Sequence, residues 1–309
     1  MKRENRILGL AGILLSALLF YAQASETEAH PKESPTLVPC DSVRGNLLPV
    51  AVKNSMPCSF KNTRDNVITR EEELYPLFAK LCCDTLPVRI VHIGDSHVRG
   101  HVFSVAARHE LEEVFGDDAV YPDKISYKTE ATAHETGKPG LIYHAIGING
   151  ATTAAFTDSA QLKAIAALKP DLLILSFGTN ESQSRRYDAD EHAVQMETLL
   201  SLLQQYCPGS LIMLTTPPGC YVRVSRRKRG VNTVTTRVTK SILTLADKHK
   251  LPVWDLFDIA GGPQSACSNW KGGGYFQRDQ LHYTTEGYRL HGELMAQAIL
   301  KAYNHYVEH

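Results

Sequence analysis

Four residues far apart in the chain, Ser96, Asn180, Asp279 and His282, are of the types that acyl transfer requires. Such a reaction needs a hydroxyl nucleophile and a base to take its proton. It also needs a carboxylate to orient the base, and N–H donors aimed at the developing oxyanion. Serine and histidine fill the first two roles, and an aspartate three positions before the histidine can fill the third. Three of them also have a plainer reading: Ser96 as a helix N-cap, Asn180 as a turn residue, Asp279 as a loop acid. What decides between them is where the secondary structure puts these side chains.

Val88 to Ile93 is a run of β-branched and apolar residues that stops in Gly94-Asp95-Ser96-His97, after which the pattern turns helical. A strand ending so abruptly leaves Ser96 at the carboxyl edge of a sheet. Open α/β sheets place their ligands at that edge, where helix N-termini present free N–H groups. Leu141 to Ile146 predicts a second strand, ending in Gly147 to Thr153 with Gly150 in the turn. Asp171 to Phe177 predicts a third, apolar throughout as buried parallel strands are, and it ends in Gly178-Thr179-Asn180-Glu181. Ser210 to Thr215 and Pro252 to Leu256 complete the set.

Helical spacing appears after Thr69 (Leu74, Leu77, Phe78 and Leu81 behind three acids), and again over 103–115, 161–168, 189–206, 231–249 and 285–306. Residues 117–140 lack periodicity and read as a loop or small insertion. Strand and helix alternate, which predicts a single α/β domain over 66–309: three layers, flavodoxin-like, with about five parallel strands, helices on both faces and right-handed crossovers. Asp279 and His282 then sit just before the last helix.

Gly94-Asp95-Ser96, Gly150 within Asn149-Gly150-Ala151-Thr152, Gly178-Thr179-Asn180-Glu181, and Asp279 with His282 follow one another at strand ends. In this order and over residues 85–300 the chain resembles the SGNH hydrolases, the GDSL-type esterases. The resemblance implies that Ser96 is the nucleophile, His282 the base and Asp279 its orienter. It implies an oxyanion hole from the backbone N–H groups of Ser96 and Gly150 and the side-chain amide of Asn180, and no cofactor. His97 stands where the family usually carries leucine. With the Ile146 to Ala151 stretch, it makes the chain most similar to bacterial peptidoglycan O-acetylesterases. Those enzymes often carry a carbohydrate-binding module between the first two blocks, but here Ser96 and Gly150 are only 54 positions apart. The expected function is removal of O-acetyl groups from a cell-envelope or dietary carbohydrate. A general carboxylester or lipid esterase, an O-acetyltransferase and a catalytically silent glycan-binding module are the alternatives.

The remaining signals bound the setting. The chain has 309 residues and 33 basic against 33 acidic side chains, so no bulk charge draws it to nucleic acid or to an anionic membrane. Lys2, Arg3 and Arg6, an apolar run from Ile7 to Tyr21 and Ala22-Gln23-Ala24 read as an export signal over 1–24, with an uncleaved anchor as the alternative. The expected location is periplasmic or extracellular, without stable membrane insertion once the signal is cleaved. Residues 25–65 read as an extension or strap.

Seven cysteines, including adjacent Cys82 and Cys83, leave at least one thiol unpaired, and Cys40 with Cys58 is the pairing suggested by proximity. No C-x-x-C pair marks structural zinc, and His92, His97 and His101 straddle three elements, so no metal is expected. Arg223, Arg226, Arg227, Lys228 and Arg229 either rim the cleft, binding carboxylates of an acidic glycan or stem peptide, or form a solvated loop. Trp270, Tyr275 and Phe276 are candidates for stacking on a sugar, whereas Trp254 reads as core.

Overall fold

Why the distant blocks meet is settled by strand order. The computed structural model describes residues 48–82, 87–116, 119–120 and 132–309, all within one compact unit. The expected signal at 1–24 lies outside these residues, as do Cys40 and Cys83. Of the described cysteines, Cys58, Cys82, Cys207, Cys220 and Cys267 are free thiols. Among the described residues no helix is long and apolar enough to cross a membrane.

Strand β1 (Ile68–Thr69) precedes helix α1 (Tyr75–Cys82), then β2 (Pro87–Gly94), a single-turn helix α2 (Ser96–Arg99) and α3 (Val102–Phe115). Two short strands, β3 (Ala119–Val120) and β4 (His134–Glu135), pair with each other before β5 (Gly140–Gly147), α4 (Ser159–Ala167) and β6 (Leu172–Ser176). Next come α5 (Thr179–Gln183), α6 (Ala189–Tyr206) and β7 (Leu211–Thr215), then the hairpin β8 (Tyr221–Ser225) and β9 (Lys228–Val231). The chain closes with α7 (Val234–His249), β10 (Val253–Trp254), α8 (Leu256–Ile259), α9 (Gly262–Gly272) and α10 (Thr285–Glu308).

The central sheet has six strands in the order β1-β10-β7-β6-β2-β5. The five from β10 to β5 are parallel, as expected, and β1 adds an antiparallel edge. The chain goes from β2 to β5 on one side, then returns to β6 on the other. The order therefore reverses at β2, which opens a crevice at that strand's carboxyl end. Strand β2 is buried on both faces. Val88 and Ile90 join a core that includes Phe103, Trp254, Leu294 and Ile299, while Val91 and Ile93 face Leu173, Leu199, Leu203 and Ile242.

The extended residues 48–67 are tied to the end of the chain by side-chain amides. Asn304 bonds both the N–H and the carbonyl of Val50 at 2.8 and 2.9 Å. Asn269 does the same for Lys61 at 3.0 and 2.8 Å.

The structure adds two elements that the sequence does not show and corrects two expectations. Beside the five parallel strands the sheet has a sixth, β1, which at two residues long shows no alternation in the sequence. The basic stretch after β7 is a hairpin, not a loop, so α7 starts at Val234 rather than Val231. Residues leading into Gly272 form α9, a helix whose glycines and serines hide its short apolar stripe. Trp270 is fully buried, with its indole N–H on the carbonyl of Pro218 at 2.9 Å, and cannot stack on a ligand.

Buried Asn66 joins three parts of the core. Its amide donates to Leu294 O at 2.7 Å and its carbonyl accepts from the indole N–H of Trp254 at 2.9 Å. Asn66→Ala leaves both groups buried without partners, a loss of about 1–3 kcal/mol for each such group. Urea denaturation should show a midpoint well below wild type, and an unchanged midpoint would refute this role.

Candidate active site

Strand register brings the blocks to one level. Gly94 pairs with Gly147 on β5 and with Ser176 on β6, so the turns that follow leave the sheet side by side. Gly94 is required by space: a Cβ there would sit 2.6 Å from Ser176 O and 2.5 Å from a methyl of Val98. The chain then turns into α2, capped by Asp95, whose Oδ1 accepts the N–H of His97 at 2.8 Å. Ser96 opens that helix and is 8% exposed.

Ser96 Oγ lies 3.0 Å from His282 Nε2, and His282 Nδ1 lies 2.7 Å from Asp279 Oδ2. The other oxygen of Asp279 accepts the backbone N–H groups of Leu281 and His282, both at 3.0 Å. Gln280 takes a left-handed φ of 53°, which folds this loop back on itself. Burial works to raise the Asp279 pKa, but the His282 ring and the two backbone donors outweigh it and hold the carboxyl below its usual range. An ionised Asp279 fixes the proton on Nδ1, which leaves the lone pair of Nε2 facing the serine hydroxyl.

The oxyanion candidates come from the two flanking turns. Gly150 adopts φ +74°, and among the described residues neither its N–H nor that of Ser96 finds a protein acceptor. Asn180 Nδ2 donates to Ala151 O at 2.9 Å and to Asp95 Oδ2 at 3.2 Å. Both its amide hydrogens are therefore engaged, and the longer bond is the easier one to exchange for a ligand oxygen. The two turns are clamped together by Glu181, which accepts the N–H of Thr153 at 3.0 Å and of Gly178 at 2.9 Å. Burial pushes the Glu181 carboxyl up to about 7, against the pull of these donors.

A second Asp–His pair lies against the first and went unnoticed in the sequence. His97 Nδ1 is 2.8 Å from Asp95 Oδ1, and Nε2 is 3.3 Å from Leu281 O. Both partners are acceptors, an arrangement that favours a proton on each ring nitrogen. Burial opposes that charge, but Asp95 and the Leu281 carbonyl prevail and raise the pKa above the ordinary histidine value. The ring stacks on His282 with centroids 5.6 Å apart. His97 thereby joins the Ser96 turn to the Asp279–His282 loop, and Asp95 joins it to Asn180. The signal was an aspartate two residues before the histidine, a common local cap.

The other candidates separate. His92 is buried beneath the site against Ser176 Oγ and the Tyr143 hydroxyl, at 2.7 and 2.9 Å, and burial lowers its pKa to about 3. Tyr275 lies edge-on to Phe60 and Trp270, and Phe276 packs on Tyr221 and Tyr283. Arg223 and Arg226 belong to the exposed hairpin.

The raised pKa of His97 has a pH signature. Its folded pKa is raised, so its contribution to stability is complete below the unfolded value of about 6.5 and fades as pH rises through the folded value. The unfolding free-energy difference between wild type and His97→Leu should be about 1.5–3 kcal/mol at mildly acidic pH and shrink toward alkaline pH. A difference that does not change with pH would show a neutral ring.

With this geometry in hand, comparison with known proteins places the chain. The fold resembles a solved peptidoglycan O-acetylesterase with a TM-score of 0.65 at 17% identity, over 79% of this chain and 99% of that one. An acetyl xylan esterase gives 0.49 at 17% identity, over 67% of this chain and 98% of that one. An acetylxylan esterase from Geobacillus stearothermophilus gives 0.44 at 17% identity, over 70% and 94%. Only the first score exceeds one half, and at these identities the likeness is one of fold. The comparison with curated proteins finds no match. The profile of the GDSL-like lipase/acylhydrolase family matches residues 93–290, which is most of the chain. The chain belongs to that family of ester-hydrolysing enzymes.

Proposed function

We propose that this protein is an exported serine esterase that removes O-acetyl groups from a carbohydrate, with peptidoglycan the first candidate. The observation that carries the reading is the unbroken line from Ser96 Oγ through His282 to Asp279, at 3.0 and 2.7 Å. Ser96 attacks the acetyl carbonyl while Nε2 of His282 takes the hydroxyl proton. The oxyanion is met by the N–H groups of Ser96 and Gly150, and by the Asn180 amide as it yields its bond to Asp95. Loss of one such donor typically costs about 2.7–4 kcal/mol of transition-state stabilisation. The tetrahedral intermediate collapses, and the sugar oxygen leaves with the proton from His282. Water, deprotonated by the same ring, then attacks acetyl-Ser96 and releases acetate.

The acetyl-carbohydrate reading draws its support from two sources. One is the resemblance of the Ser96-His97 and Gly150 blocks to peptidoglycan O-acetylesterases, and the other is the fold likeness to such an enzyme. The test is acetate release by residues 25–309 from O-acetylated peptidoglycan, acetylated xylan and p-nitrophenyl esters of rising chain length. Wild type should release acetate and prefer acetyl over longer acyl chains. Ser96→Ala should lose about a million-fold in turnover, the scale seen when a triad nucleophile is removed. Preference for long chains would move the substrate to lipids. Transfer to a sugar acceptor in place of hydrolysis would make the protein a transferase, and equal activity in Ser96→Ala would overturn the mechanism.

A further inference from the structure

The chain as a whole is neutral, yet its basic groups are unevenly placed. The β8–β9 hairpin carries Arg223, Arg226, Arg227, Lys228 and Arg229 along one wall of a cleft of about 530 Å³. Lys271 at the end of α9 and Arg278 beside Asp279 add to the lining, which among the described residues includes no acidic residue. Lys271 is held over the ring of Tyr221 at 5.0 Å. Among the described residues none of these seven cations is paired with a carboxylate. Register makes the crowding worse, because Arg223 stands directly opposite Arg229, and like charges placed so repel. Arg223 turns its guanidinium onto the carbonyl of Arg226 at 3.0 Å, which steadies the turn without reducing the charge.

This repulsion is relieved by an anionic ligand. Guanidinium groups match carboxylates in a two-pronged geometry, and a cleft lined by one sign of charge concentrates the opposite ion. The cleft also shares residues with the catalytic loop. Arg278 and Gln280 line it, and they flank Asp279 in the loop that carries His282. The N–H of Tyr221, at the root of the hairpin, donates to Gln280 O at 2.9 Å. Among the described residues no lining residue is aromatic, so the cleft offers none of the stacking platforms that single-stranded nucleic acids use.

The geometry points to a carboxylate-binding subsite in this cleft, which holds the acid groups of a carboxylate-bearing glycan while Ser96 acts on its acetyl ester. The link to catalysis rests on the esterase reading, but binding by the cleft does not. The full chain in a Ser96→Ala background should bind polygalacturonate and leave neutral glucomannan unbound. That binding should weaken steeply between about 0.1 and 1 M NaCl, as the Debye length shortens from about 10 to about 3 Å. Replacing Arg226, Arg227 and Arg229 with serine should weaken it about tenfold, the sum of three exposed charge contacts. Lys271→Glu, which attacks the cleft from α9, should act in the same direction.

With Ser96 present, the preference for acetylated polygalacturonate over acetylated glucomannan should fall about tenfold in both variants. Unchanged binding in both variants, salt-independent binding, or tighter binding of oligo-dT would overturn the subsite. Normal polygalacturonate binding without any acetate release would instead count against the esterase reading and leave the subsite standing.

Discussion

Everything at the site depends on three strands stopping at the same level. The carboxyl ends of β2, β5 and β6 meet at Gly94, Gly147 and Ser176 through the hydrogen-bond register of the sheet. Glycine at position 94 lets the chain turn within van der Waals contact of β6, which keeps Ser96 close to the turns that carry Gly150 and Asn180. The last helix then brings the Asp279–His282 loop to the same edge. A buried parallel sheet holds its register firmly, since a slip of one residue would exchange its two apolar faces. The rigid part of the fold thus sets the positions, and the short turns set the chemistry.

Around the reacting groups lies a continuous polar scaffold. Glu181 ties the Gly178 turn to Thr153, Asp95 ties the Ser96 turn to Asn180, and His97 ties it to Leu281. Each link fixes two elements with charged or buried hydrogen bonds, which are the expensive kind to break. The candidate oxyanion donors and the candidate base therefore share supports, and a change at one support reaches both.

The five parallel strands were legible in the sequence because a strand buried on both faces is written as an unbroken apolar run, as in Leu172 to Leu175. Edge strand β1 was not, for two residues cannot show a period. The β8–β9 hairpin was hidden because charge on nearly every residue from Arg223 to Arg229 erases the alternation between faces. Helix α9 was hidden by Gly262, Pro263 and its serines, although Ala266, Cys267 and Trp270 form its buried stripe. At the site, Ser96 and His282 could be joined only through the order of the motif blocks, because chain separation conceals spatial contact. The supports Asp95, His97 and Glu181 carry no motif of their own role and become visible only with their partners. Trp270 shows the converse, an aromatic near the catalytic loop that serves the core.

In the proposed reaction Ser96 carries the acyl group between two half-reactions. Rapid-quench intact-mass analysis with p-nitrophenyl acetate, followed by peptide mapping, tests it most directly. A transient gain of one acetyl group is expected on the peptide containing Ser96, absent in Ser96→Ala and longer-lived when His282 is replaced by alanine. Turnover without any covalent acetyl adduct, or an adduct on another residue, would contradict it.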